Sequence, residues 1–96
     1  MLVVVAYDVN TESEEGRRRL RRVAKVCEDY GQRVQNSVFE CLMDAAKWTK
    51  VRADLIREIQ EAHDSLRFYF LGDNWKRRVE HVGAKPSYDP QGPLVI

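Results

Sequence analysis

Two cysteines, two histidines and a net charge of only +1 leave this 96-residue chain short of what several protein classes require. Cys27 and Cys41 form no C-x-x-C pair and have no clustered histidines, which argues against a zinc site or a disulfide framework. The longest apolar run, Leu2 to Tyr7, is far below the roughly 20 residues that span a bilayer. It ends in Asp8 without a basic flank, so it does not read as a signal peptide either, and the chain reads as cytoplasmic and reduced. No glycine-rich loop that could cradle a phosphate is present, and Ser37 has no His/Asp pattern that would make it a nucleophile. His63 and His81 read as surface or packing histidines. At 44% hydrophobic and 32% charged the chain is too apolar for wholesale disorder, and its length allows one core.

The remaining residues fall into a regular order of elements. Leu2-Val3-Val4-Val5-Ala6-Tyr7 is a continuous β-branched run that suits a central strand. Thr11-Glu12-Ser13-Glu14 supplies a capping box, and Leu20, Val23, Ala24, Cys27 and Tyr30 recur at helical spacing. The spacing predicts a helix from Ser13 to Tyr30, with Gly31 as its C′ glycine. Arg33 to Met43 reads as two strands divided at Gln35-Asn36-Ser37, with Phe39, Cys41 and Met43 on one parity. A second helix is predicted from Asp44 to Ala62, on a stripe of Trp48, Val51, Leu55, Ile59 and Ala62. Leu66 to Leu71 is an aromatic strand closed by Gly72-Asp73-Asn74, and Arg78 to Val82 is expected to add one more strand. The order βαββαβ is that of the ferredoxin-like α+β fold, an antiparallel sheet with two helices on one face. Its other face must be covered or shared with a second copy. Residues 1–83 form this domain, and 84–96 form a tail expected to dock on a partner or on the dimer mate.

The near-zero charge is a sum over separated regions. Between Arg17 and Lys25 six of nine residues are basic and none is acidic. At 100° per residue Arg18, Arg21, Arg22 and Lys25 fall opposite the apolar stripe, with Arg17 and Arg19 at its edges. Such a stripe is either ordinary solvated surface or a phosphate-binding ridge, because guanidinium forks match phosphate oxygens. Lys76-Arg77-Arg78 is a second basic cluster. Phe68, Tyr69 and Phe70 could stack bases, but the ribonucleoprotein consensus is absent. Asp8 stands apart as a carboxylate ending an apolar strand. It either caps a turn at Asp8-Val9-Asn10-Thr11 or meets a hard cation, and two copies in a symmetric dimer could share one ion.

These residues together closely resemble the Cas-two family, the small CRISPR-associated proteins of spacer acquisition. The resemblance rests on Tyr7-Asp8, the basic helix Arg18 to Lys25, Cys27-Glu28-Asp29-Tyr30-Gly31 and, most specifically, Arg33-Val34-Gln35-Asn36-Ser37-Val38-Phe39-Glu40. It covers Met1 to Gly83. The resemblance implies a homodimer joined through the sheet faces, with the extra strand adding to the partner's sheet edge. It implies that Asp8 binds Mg²⁺ or Mn²⁺ with its dimer mate for phosphodiester cleavage, with Tyr7, Arg33, Ser37 and Phe39 near that site. It implies single-stranded RNA or double-stranded DNA as substrate, held by Arg17, Arg18, Arg21, Arg22, Lys25, Arg77 and Arg78. The family is divided between metal-dependent nucleases and non-catalytic adaptors that bridge two dimers of the CRISPR integrase.

Overall fold

The computed structural model describes residues 1–83. The elements run β1 (Leu2–Asp8), α1 (Glu14–Tyr30), β2 (Gln32–Gln35), β3 (Val38–Leu42), α2 (Ala45–Glu58), β4 (Ser65–Gly72) and a short 3₁₀ helix at Trp75–Arg77. The sheet order is β2-β3-β1-β4, and every neighbouring pair is antiparallel. This is the ferredoxin-like arrangement expected from the element order.

Alternation along β1 decides which face is which. Val3, Val5 and Tyr7 are buried, and their cross-strand partners include Phe39 and Cys41 on β3 and Phe68 on β4. Against this face pack Val23 and Cys27 of α1 with Trp48, Val51 and Leu55 of α2. Burial of a side chain such as Leu55 stabilises the fold by roughly 2 kcal/mol. Trp48 also meets Phe68 edge-on, with ring centroids 4.8 Å apart. The even-numbered residues Val4, Ala6 and Asp8 take the opposite face, together with Val38 and Leu42 of β3 and the half-exposed Tyr69 of β4. Neither α1 nor α2 covers that face.

Several boundaries differ from the sequence pattern. The N-cap of α1 is Ser13, whose hydroxyl accepts from the Gly16 N–H at 3.0 Å, rather than Thr11. Asn10 Oδ1 takes the Glu12 N–H at 2.9 Å, and this turn leaves Thr11 outside the helix. Gly31 adopts extended backbone, not the left-handed conformation of a C′ glycine. It is required by contact: a Cβ there would lie 2.6 Å from the Glu40 carbonyl oxygen. Helix α2 stops at Glu58, four residues short of Ala62, because Asp64 captures the Gln60 N–H at 2.9 Å. The N–H groups of His63 and Asp64 fold back on the Gln60 carbonyl in the same turn.

Arg78 to Val82 forms no strand. Gly72, at φ +70°, turns the chain into the 3₁₀ helix, and Arg78 then donates to the Leu71 carbonyl. The tail 84–96 lies outside the described residues. No helix among the described residues is long and apolar enough to cross a membrane.

Candidate nuclease and nucleic-acid-binding site

Asp8 is the last residue of β1, exposed, paired across the sheet with Ser65. The two bland roles open to it in the sequence are filled by other residues. Asn10 makes the side-chain turn onto Glu12, and Ser13 caps α1. The Asp8 carboxylate has no hydrogen-bond or ion-pair partner among the described residues. It is therefore an exposed carboxylate at the rim of a partly apolar sheet face.

The other expected site residues gather on the far side of the same strands. Tyr7 and Phe39 face the helices, their rings 6.2 Å apart and nearly parallel at 23°. The Arg33 guanidinium lies 4.7 Å from the Phe39 ring centroid and pairs with Glu28 at 2.8 Å. Arg33 Nη1 and the Tyr7 hydroxyl both donate to the Asn36 carbonyl, at 2.6 and 3.1 Å. Ser37 follows in the β2–β3 turn, and its carbonyl accepts the Tyr7 N–H at 3.1 Å. Tyr7, Arg33 and Phe39 thus brace the Asn36-Ser37 turn from behind, and backbone bonding sets that turn beside the end of β1. Burial raises the Tyr7 pKa against the opposing influence of Arg33, so the phenol stays protonated and keeps its hydrogen to donate. Of the five residues, these four form one cluster, and Asp8 projects to the other face.

The α1 cations lie on the outer side of the helix layer. Arg18, Arg21, Arg22, Lys25, Val26 and Glu58 line a shallow depression of about 430 Å³. The stripe is less bare than the sequence suggests. Arg18 pairs with Glu14 at 3.3 Å, Arg22 with Glu58 at 2.7 Å, and Lys25 with Asp29 at 2.9 Å. Arg17 donates to the Thr11 carbonyl. Arg21 alone of the stripe has no such partner among the described residues. Arg77 and Arg78 follow β4 at the end where Gly72 pairs with Leu2. That end is six residues along β1 from Asp8, about 20 Å at strand rise. One chain therefore does not bring Arg77 or Arg78 to Asp8.

One residue escaped sequence reasoning altogether. Asp64 has a fully buried side chain and receives Arg19 in a forked ion pair, Nε to Oδ2 at 2.8 Å and Nη2 to Oδ1 at 3.3 Å. It also accepts the N–H groups of Asn10 and Gln60. Burial by itself would raise its pKa, but the Arg19 and backbone hydrogen bonds and the Arg19 charge outweigh it, and the value falls below the ordinary one. Arg19, placed at the edge of the stripe by the helical wheel, is thereby committed to the fold.

Comparison with known proteins agrees with this architecture. The family model described as CRISPR associated protein Cas2 matches residues 1–79. The chain is 59% identical over 96 residues to a CRISPR-associated endoribonuclease Cas2 of Nitratidesulfovibrio vulgaris, covering 100% of this chain and 94% of the relative. It is 56% identical to a CRISPR-associated endonuclease Cas2 of Halalkalibacterium halodurans, over the full length of both. The crystal structure of Streptococcus pyogenes Cas2 at pH 6.5 is similar with a TM-score of 0.75 and 59% identity, covering 86% of this chain and 100% of that one. A family match over most of the chain, near-full-length relatives and the shared βαββαβ sheet lead to one assignment: the chain belongs to the CRISPR-associated Cas2 family.

Proposed function

We propose that this protein is a nuclease of CRISPR adaptation that works in the cytoplasm as a homodimer, with Mg²⁺ or Mn²⁺ between the two Asp8 carboxylates. Its substrates are single-stranded RNA or double-stranded DNA, and it works alongside the CRISPR integrase. The observation that carries the reading is the exposed Asp8 carboxylate, left without a partner while Asn10 and Ser13 satisfy the local backbone. Relatives named endoribonuclease and endonuclease support the reaction class. The sheet face turned away from both helices, with half-buried Val4, Ala6, Val38 and Leu42, supports pairing of two sheets.

The donor set fits a hard cation only when two copies meet. Mg²⁺ takes about six oxygens and keeps several waters, and one carboxylate holds it poorly. Among the described residues no group of three or more His, Cys, Asp or Glu side chains could hold a metal ion. Two Asp8 side chains brought together would repel until a cation arrived between them. When bound, the metal would supply an activated water and offset the negative charge that develops on the phosphoryl oxygens. The chain's own part is positional. Asp8 holds its place at the last rung of the β1–β4 ladder, and the Tyr7-Arg33-Phe39 brace keeps the Asn36-Ser37 turn beside it.

The test is Asp8→Asn. Mg²⁺-dependent cleavage should fall by roughly 100-fold or more, while stability changes by less than about 0.5 kcal/mol because the side chain is exposed. Unchanged cleavage would remove Asp8 from the site.

A second reading is a non-catalytic adaptor that holds duplex and bridges two integrase dimers. It is favoured by the cationic outer face of α1 and by Arg21, a guanidinium free to meet phosphate. Spacer acquisition that persists in cells carrying Asp8→Asn, with cleavage gone, selects the adaptor.

A further inference from the structure

Asp8 sits at a strand end, where pairing ordinarily frays. Here its own strand and the strand paired with it are both pinned within two residues. Just past β1, the Asn10 N–H donates to Asp64 at 3.0 Å, and Asn10 Oδ1 accepts the Glu12 N–H at 2.9 Å. The Asn10 carbonyl is pressed against α1 so closely that a Cβ on Gly16 would collide with its oxygen. Between Asn10 and Asp8, Val9 is buried. On β4, the cross-strand partner of Asp8 is Ser65, the residue after Asp64. One carboxylate therefore ties the β1–α1 connection, the α2–β4 connection and, through Arg19, the body of α1. Its side chain is fully buried, and each of its oxygens accepts two hydrogen bonds.

We propose that Asp64, oriented by the Arg19 fork, is a positioning residue for Asp8: it locks the end of β1 so that the metal-facing carboxylate is presented in one place. This rests on the reading of Asp8 as a metal ligand. A site assembled from two copies repeats any looseness of the strand end in each protomer. Residues that orient a metal ligand from behind typically change metal affinity by 10–100-fold when replaced.

The experiment compares wild type, Asp64→Asn, Arg19→Lys and Asp8→Asn by amide hydrogen exchange and by Mn²⁺ binding read from the electron paramagnetic resonance of free Mn²⁺. Asp64→Asn keeps one oxygen acceptor but loses the charge that holds the fork. Exchange at Val9, Asn10 and Ser65 should accelerate at least roughly tenfold more than at core Val5, and Mn²⁺ affinity should fall roughly tenfold. Arg19→Lys keeps the cation without the fork and should fall between wild type and Asp64→Asn. It carries the same comparison if Asp64→Asn does not fold.

Acceleration at Asn10 that merely parallels Val5 marks Asp64 as a general stability residue and overturns the proposal. So does loosened exchange with unchanged Mn²⁺ affinity while Asp8→Asn still abolishes binding. Asp8→Asn that binds Mn²⁺ like wild type instead sinks the reading of Asp8 itself, so Mn²⁺ binding by this variant distinguishes the two failures.

Discussion

Arg22 Nε lies 2.7 Å from Glu58 Oε2, an ion pair that joins the outer faces of α1 and α2. It crosses the depression lined by the basic stripe, so one of the cations best placed for phosphate already has an anion. The contact is more than half exposed on the arginine side, and pairs of that kind contribute little to stability.

Glu58→Gln should therefore leave the melting behaviour within about 1 kcal/mol of wild type. It should tighten duplex binding and steepen the slope of log affinity against log salt by about one unit, as Arg22 becomes available to a phosphate. Arg21→Ala should act in the opposite sense and flatten the slope by about one unit. Binding titrations at several salt concentrations check both. Identical slopes in all three proteins would return the α1 stripe to ordinary solvated surface.

Acid stability should report on Asp64. Its folded pKa lies below the unfolded value of 3.8, so its stabilising contribution is complete above that value. The contribution is lost as pH falls through the depressed folded pKa. Denaturant unfolding between pH 7 and pH 2 should show wild type losing stability most steeply below about pH 4. Asp64→Asn should begin less stable and show a shallower fall there.

Both thiols should be silent in the native protein. Burial raises Cys27 to about 12, with the nearby Cys41 adding to the shift. Burial likewise raises Cys41 to about 11. Neither thiolate is populated near neutral pH, and alkylation needs the thiolate. Iodoacetamide at pH 8 followed by mass spectrometry should find both cysteines unmodified until denaturant is added, and then both modified together. Rapid labelling of either in the folded protein would contradict their placement in the core.

Much of the fold could be read from local pattern because the pattern is local. The β-branched run of β1, the α1 stripe and the parity of Phe39 and Cys41 all reflect neighbours a few residues apart. The division of β2 from β3 at Asn36-Ser37 likewise needed only the polar break. What escaped depends on partners far away in the chain. Asp64 gains its meaning from Asn10 and Arg19, 54 and 45 residues distant. In sequence it is one more aspartate in a loop. The same capture of Gln60 explains why α2 ends at Glu58 although Ile59 continues its stripe.

At the candidate site, Asp8 was visible as a carboxylate ending an apolar strand. Its separation from Arg33 and Phe39 was not. That separation is set by register, Val5 opposite Phe39 and Phe39 opposite Arg33, which carries the brace to the helix side with odd-numbered β1 residues. Residues adjacent in the motif are therefore not adjacent in the site. The pairing of Arg22 was equally hidden, because Glu58 belongs to the other helix, whereas Arg18–Glu14 and Lys25–Asp29 are i,i+4 pairs within α1 that lie in the sequence spacing itself.

The placement of the Asp8 carboxylate on the open sheet face and of the cationic depression on the outer helix layer has a practical corollary. On the proposed reading, a polyanion held along the helix side of one chain would not by itself occupy Asp8, and a cation at Asp8 would not compete for the α1 arginines. Heparin, a polyanion with no phosphodiester to cleave, would then serve to occupy the helix side while the sheet side is titrated. Occupancy of each face can be measured as an independent variable.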